Sequence, residues 1–202
     1  MTIKIYGPTT SDAWRTMWIV HELGIPFERM PEGSKDAEGA DMLPVNPNGK
    51  ALALVDGDFK LFESMAINLY LAAKYNKGGM LPTSLQEQAL CQQWSFWGVA
   101  ALENQLLTIL VDKFVTAPEK RDRNAVAAAQ KSLSRPFAML NDTLQARDFL
   151  LGSTFTVADL NLVSICAWAK PIKYAFSLLP NVAGWLDRCF LRSAYKMARR
   201  IK

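Results

Sequence analysis

Hydrophobic positions follow two rhythms along the 202-residue chain. Near the N-terminus the apolar runs are short and punctuated. Ile3–Tyr6 predicts a strand, broken by Gly7-Pro8-Thr9-Thr10. From about Asp12 to Leu23, Trp14, Met17, Trp18 and Val20 recur at helical spacing, with His21 beside them. Gly24 and Pro26 end that helix. Phe27–Met30 predicts a second strand, Asp36–Leu43 a weak helix, and Asn46-Pro47-Asn48-Gly49 a turn. Ala51–Val55 and Phe59–Phe62 predict two strands joined by Asp56-Gly57-Asp58, a hairpin signal. Glu63–Tyr75 predicts a helix with Met65, Leu69 and Ala72 on one face and Ile67 and Leu71 on its flank. The order β-α-β-α-β-β-α implies a parallel half and an antiparallel hairpin in one mixed four-stranded sheet, with helices packed on it.

After residues 77–84, a linker carrying Gly78, Gly79 and Pro82, the rhythm is helical throughout. Leu85–Val115 predicts a long amphipathic helix with Leu90, Trp94, Trp97, Ala101 and Leu102 facing inward. Pro118 is expected to open another helix, running to about Ala146. Thr156–Lys170 predicts a third, ended by Pro171, with Pro180–Phe190 and Arg192–Arg200 as shorter ones. The expected division is an α/β domain over 1–76 and an all-helical domain over 85–202.

Composition narrows the class. Half the residues are hydrophobic and 21% are charged, a globular rather than a disordered balance. No apolar run reaches the roughly 18 residues of a membrane span, and the first residues carry no secretory pattern, so a cytoplasmic location is expected. Charge is uneven: residues 1–76 hold seven Lys/Arg against ten Asp/Glu, and residues 77–202 hold sixteen against nine. The basic tail (Arg188, Arg192, Lys196, Arg199, Arg200) has helical spacing and reads as a solvated face. No nucleic-acid motif accompanies it. Cys91, Cys166 and Cys189 form no CxxC, and one histidine leaves no zinc set, so the cysteines read as buried hydrophobes.

Three helix starts carry the candidate chemistry. Ser11 precedes the first helix. Its hydroxyl suits a cap, or it suits donation to a bound anion such as a thiolate, which would lower the thiol's pKa. Glu63-Ser64 opens the helix after the hairpin. These residues either cap it or hold a carboxylate at the helix end, with Glu63 taking an ammonium. Thr156-Val157-Ala158-Asp159 is a capping box with Asp in place of Glu and reads as structural. His21 lies about three turns from Ser11, too far to serve it as a base.

Together these segments resemble the cytosolic glutathione transferase family, and the resemblance spans essentially the whole chain. It rests on Ile3-Lys4-Ile5-Tyr6-Gly7 with Ser11-x-x-x-Arg15, Glu22-Leu23-Gly24-Ile25-Pro26-Phe27-Glu28, Asn46-Pro47-Asn48-Gly49-Lys50, Asp56-Gly57 and Glu63-Ser64-Met65-Ala66-Ile67-x-x-Tyr70-Leu71. Gly152-x-x-x-Thr156-x-Ala158-Asp159 and Trp185-x-x-Arg188 extend it. The resemblance implies a thioredoxin-like N-terminal domain and an all-α C-terminal domain. It also implies glutathione as co-substrate, a small apolar electrophile, no metal, a homodimer and a role in detoxification. Ser11 resembles the catalytic hydroxyl of serine-type members. Lys50 and Ala51 match positions lining the glutathione backbone, Glu63 and Ser64 those holding its γ-glutamyl end, and Trp94 and Trp97 the helix facing the electrophile. The family carries Val-Pro with a cis bond where this chain has Ala51-Leu52. A cis bond before leucine costs about 2.5–4 kcal/mol, against under about 1 before proline. A weakened glutathione site, or one retuned to another ligand, is the expectation there. A non-catalytic binding protein and a glutathione-dependent peroxidase are the alternatives. A cysteine-based reductase is disfavoured, because no cysteine precedes Cys91.

Overall fold

The computed structural model describes residues 2–9, 11–30, 44–50 and 52–200. The predicted helix at Asp36–Leu43, residue Ala51 and its bond to Leu52 lie outside them. The chain forms two compact units, Met1–Leu81 with Leu191–Lys202, and Pro82–Phe190.

In the first unit β1 (Ile3–Tyr6), β2 (Phe27–Met30), β3 (Ala53–Asp56) and β4 (Phe59–Phe62) form one sheet in the order β2-β1-β3-β4. β1 runs parallel to β2, with Ile3 opposite Phe27. It runs antiparallel to β3, with Ile5 opposite Leu54. This is the mixed sheet predicted from the punctuation. Ile3, Ile5 and Leu54 are buried beneath two helices. α1 (Ala13–Leu23) buries Trp14, Met17, Trp18, Ile19 and Val20. Gly24 ends it at φ 61°, a left-handed conformation that a Cβ would oppose. α2 (Ser64–Tyr75) packs beside α1, and Thr16 Oγ1 donates to Asn68 Oδ1 at 3.2 Å across the buried contact. Met65 and Ala72 are buried as predicted, joined by the flanking Ile67 and Leu71, while Leu69 is only half-buried.

The first unit also contains α8 (Ser193–Ala198), which packs on α1. The basic tail is therefore more than a solvated face. Arg192 binds Glu22 through two bonds of 2.6 and 2.7 Å, and the Arg199 guanidinium lies 5.2 Å over the Trp14 ring.

The second unit is helical. The predicted helix from Leu85 forms as α3 (Leu85–Gly98), a π turn at Val99–Glu103 and α4 (Asn104–Phe114). Leu90 is 40% exposed rather than inward. Cys91, Trp94, Ser95 and Gly98 make the buried stripe instead. A Cβ on Gly98 would stand 2.8 and 2.9 Å from the Leu162 and Ile165 methyls, which marks how closely α3 approaches α6 (Val157–Cys166). Pro118 opens only a short 3-10 turn. The long α5 (Arg123–Thr143) starts where Asp122 Oδ1 accepts the Asn124 and Ala125 N–H groups. Every residue of α6 is buried, as befits a central helix. α7 (Pro180–Phe190) follows it.

Candidate functional site

The β1–α1 turn begins at Gly7, whose φ of 126° is open to glycine and strained for other residues. A Cβ there would meet Ala13 Cβ at 3.1 Å and the Leu52 backbone nitrogen at 3.3 Å. Glycine thus lets the helix start and the loop before β3 close on each other. That loop is held by Asn46, which is buried. Its Nδ2 donates to the Lys50 carbonyl at 2.9 Å and the Leu52 carbonyl at 3.3 Å, and its Oδ1 accepts the Asn48 N–H at 3.0 Å. Leu52, where the family carries proline, takes φ 116°, far from the roughly −65° a proline ring imposes.

Ser11 is half-buried at the mouth of α1. Its Oγ donates to the Pro8 carbonyl at 2.7 Å and accepts the Ala13 N–H at 3.3 Å. Asp12, next in the chain, makes no side-chain cap bond. The capping expectation for Ser11 is therefore met by one orphan N–H, while the hydroxyl proton rests on a carbonyl that rotation can exchange for another acceptor.

One turn further, Arg15 is buried to 1% exposure and ion-pairs with Asp12 at 3.2 Å. Its Nη1 donates to Ser64 Oγ at 3.5 Å. The second candidate helix start is thereby brought to the first. Ser64 is buried and Glu63 exposed. Glu63 does not cap α2 with its carboxylate, although its carbonyl accepts the Ile67 N–H at 2.9 Å. Its backbone sits at φ 72°, a conformation costing a non-glycine residue of order 1–3 kcal/mol. Both strained positions that flank the sheet, Leu52 and Glu63, thus border the segments singled out by sequence. Lys50 is exposed, with its carbonyl fixed by Asn46.

Trp94 and Trp97 belong to the second unit. Their rings meet edge to face at 5.3 Å, Trp94 buried and Trp97 half-buried. Neither lines the cleft of about 510 Å³ between α4 and α5, bordered by Leu107, Val111 and Val126. His21 stands edge-on to Phe27 at 5.5 Å, and burial lowers its pKa, leaving it a neutral packing residue. The cysteines are free and buried. Burial pushes the Cys91 thiol up to about 11 and Cys166 up as well, so both stay protonated and unreactive. Among the described residues no three metal-ligating side chains converge, and no helix is long and apolar enough to cross a membrane.

Sequence reasoning missed Arg15 as a link between the two helix starts, and it missed Asn46 as the loop's anchor. The Arg15 signal was the Ser-x-x-x-Arg spacing, which places the guanidinium one turn above Ser11. The Asn46 signal was its place in an Asn-Pro-Asn-Gly turn, where an Asx side chain bonds the backbone two residues on.

Comparison with known proteins identifies the family. Residues 1–73 match the glutathione S-transferase N-terminal domain and residues 102–192 the glutathione S-transferase C-terminal domain. The chain is 33% identical to glutathione S-transferase F12 of Arabidopsis thaliana, covering 79% of this chain and 78% of that one. It is 29% identical to the glutathione S-transferase GstB of Escherichia coli (strain K12), covering 96% of each. Among solved structures, a theta class glutathione S-transferase from Xanthomonas axonopodis pv. citri with glutathione bound superposes with a TM-score of 0.88 at 27% identity, over 100% of this chain and 98% of that one. Two matched domains in the right order, and a relative above 30% identity over most of both chains, lead to one conclusion: the chain belongs to the glutathione S-transferase family.

Proposed function

We propose that this protein binds glutathione on its first unit, stabilises the thiolate with Ser11, and transfers it to a small apolar electrophile. The observation that carries the reading is the Ser11 hydroxyl at the start of α1, held at 2.7 Å on the Pro8 carbonyl and free to turn. On binding, Oγ–H leaves Pro8 and donates to the glutathione sulfur. The free N–H groups and partial positive charge of the helix end add to it. Hydrogen bonding to the charged form lowers the thiol's pKa, and its proton passes to solvent. The thiolate then forms a carbon–sulfur bond as the electrophile's leaving group departs with its electron pair.

The γ-glutamyl end fits the second helix start. Its carboxylate takes the Ser64 hydroxyl and the α2 N-terminus, with the buried Arg15 cation behind them. Its ammonium takes the Glu63 carboxylate, which no capping bond occupies. The backbone at Lys50, whose carbonyl Asn46 holds, is assigned to the peptide, and Trp97, half-buried on α3 against Trp94, to the electrophile. The working form is a cytoplasmic homodimer, for which exposed Leu85, Phe96 and Val99 supply apolar surface.

Transferase names among the relatives and neighbours support turnover over the binding-only and peroxidase readings. Turnover of a chloronitrobenzene with glutathione is the test. Ser11→Ala should lower kcat about 100-fold, within the range general for positioned proton and hydrogen-bond donors. Equal, negligible rates in wild type and variant would defeat the enzyme reading.

A further inference from the structure

The last described helix packs along α1, the helix that Ser11 precedes. α8 runs antiparallel to α1. At one end Arg192 grips Glu22 with bonds of 2.6 and 2.7 Å, while Trp18 Nε1 donates to the same carboxylate at 2.9 Å. In the middle Tyr195 packs edge-on against Trp18 at 5.0 Å and Trp14 at 6.3 Å. At the far end the Arg199 guanidinium covers the Trp14 ring at 5.2 Å. Trp14 itself stacks on Trp18 at 6.1 Å. Its backbone N–H donates to the Ser11 carbonyl at 3.4 Å. The first turn of α1 is therefore held from two sides, through Arg15 to Ser64 of α2 and through Trp14 to α8.

We propose that Tyr195 and Arg199 are positioning residues for the transfer reaction: by fixing Trp14 they fix the turn that aims the Ser11 hydroxyl at the glutathione sulfur. The proposal rests on the assignment of Ser11 made above. Its physical basis is tolerance. A hydroxyl donor stabilises a thiolate only within hydrogen-bond reach and direction, and a displacement near 1 Å at a reacting group costs of the order of 100-fold. An aromatic–cation stack is stiff enough to matter, and Arg199 is exposed, so its removal leaves the core intact.

The test uses the full-length protein with glutathione and a chloronitrobenzene. Arg199→Ala and Tyr195→Ala should each lower kcat about ten-fold while KM for glutathione stays within about two-fold, since the tripeptide's other contacts survive. Both should move the acid limb of the kcat/KM profile to higher pH, because a misplaced donor leaves the thiol's pKa higher. Arg199→Lys, which keeps a cation over the ring, should restore most of the loss. In a Ser11→Ala background, Arg199→Ala should cost nothing further; a general weakening of the fold would lower the rate in both backgrounds. An unchanged kcat in Arg199→Ala, or an equal loss in both backgrounds, overturns the proposal. If Ser11→Ala is impaired and Arg199→Ala is not, the clamp alone fails. If Ser11→Ala is fully active, the Ser11 assignment fails and the clamp with it.

Discussion

Two helix starts in this chain use the same chemistry, a hydroxyl beside a carboxylate, to opposite ends. At α6, Asp159 is fully buried and every direction around it is occupied. Its Oδ1 accepts the Leu150 N–H at 2.8 Å and Trp185 Nε1 at 2.9 Å. Its Oδ2 accepts the Thr156 N–H at 3.0 Å and the Thr156 hydroxyl at 3.1 Å. At α2, Glu63 makes no capping bond, its carboxylate stands in solvent, and its backbone is held at φ 72°. The first arrangement closes a helix and ties it to α7. The second leaves the helix end without a side-chain cap, at the cost of strain, as the proposed glutathione site requires. Satisfaction of donors and acceptors, rather than residue type, separates the structural cap from the proposed binding one.

The sharpest way to break that contrast is to remove the Asp159 carboxylate and, separately, the Ser11 hydroxyl at the α1 start. Asp159→Ala strips four donors of their acceptor inside the second unit and should destabilise the protein by more than about 4 kcal/mol, seen as a fall in denaturation midpoint. Asp159→Asn keeps one carbonyl oxygen and should cost less. Glutathione affinity of the fraction still folded should be unchanged, and a selective loss of affinity would show that the α6 cap is no mere structural device. Ser11→Ala should show the reverse pattern. It loses one cap bond, about 1 kcal/mol or less of stability, while kcat falls about 100-fold, the equivalent of about 2.7 kcal/mol at the transition state.

How far sequence reaches follows from the same distinction. The strands, α1, α7 and the capping box at Thr156–Asp159 are legible because local chemistry decides them: alternation, helical periodicity, and Gly24 in its left-handed conformation. Leu90 was misread because the stripe it starts is apolar on both flanks, and only packing against α6 selects Cys91 and Trp94 over it. The start of α5 was misread because proline is a strong but local signal, whereas Asp122 satisfies two N–H groups and so fixes the helix. At the candidate site, local pattern singles out Ser11, Glu63 and Ser64, but it does not show their connection in space. That connection runs through Arg15, whose buried guanidinium joins residues 49 positions apart. The pairing of Arg192 with Glu22, 170 positions away, is equally invisible to any local pattern.

Glu63 offers a finer separation of strain from binding. Glu63→Gly and Glu63→Gln both remove the carboxylate, so both should raise KM for glutathione about ten-fold, the loss of one charge-assisted contact of about 1.4 kcal/mol. Only glycine relieves the positive φ. Glu63→Gly should therefore raise thermal stability by about 1 kcal/mol, and Glu63→Gln should leave it unchanged. Equal stabilities would mean that the conformation at the α2 start carries no cost. Leu52→Pro probes the neighbouring strain with the opposite sign. Proline cannot take φ 116°, so restoring the family's residue alone should destabilise the first unit by more than about 1 kcal/mol unless the loop rearranges.

The other end of α2 supplies the smallest effect and a control for the first. Asp56 accepts the Tyr70 hydroxyl at 2.9 Å and the Lys74 ammonium at 2.5 Å, tying the β3–β4 hairpin to the helix far from Glu63. The Lys74 bond, aided by Tyr70, holds the Asp56 carboxyl below its ordinary 3.8, while Tyr70 is raised chiefly by burial and then by Asp56. A carboxylate with a depressed folded pKa contributes stability above pH 3.8 and loses it as pH falls through the folded value. Asp56→Asn should accordingly cost little at neutral pH, because Lys74 reaches solvent and asparagine keeps a carbonyl oxygen for the Tyr70 hydroxyl, and should flatten the acid side of the stability profile. Glutathione binding should not respond. If KM rises in Asp56→Asn as it does in Glu63→Gln, the two ends of α2 are coupled, and the line drawn between its binding end and its structural end is misplaced.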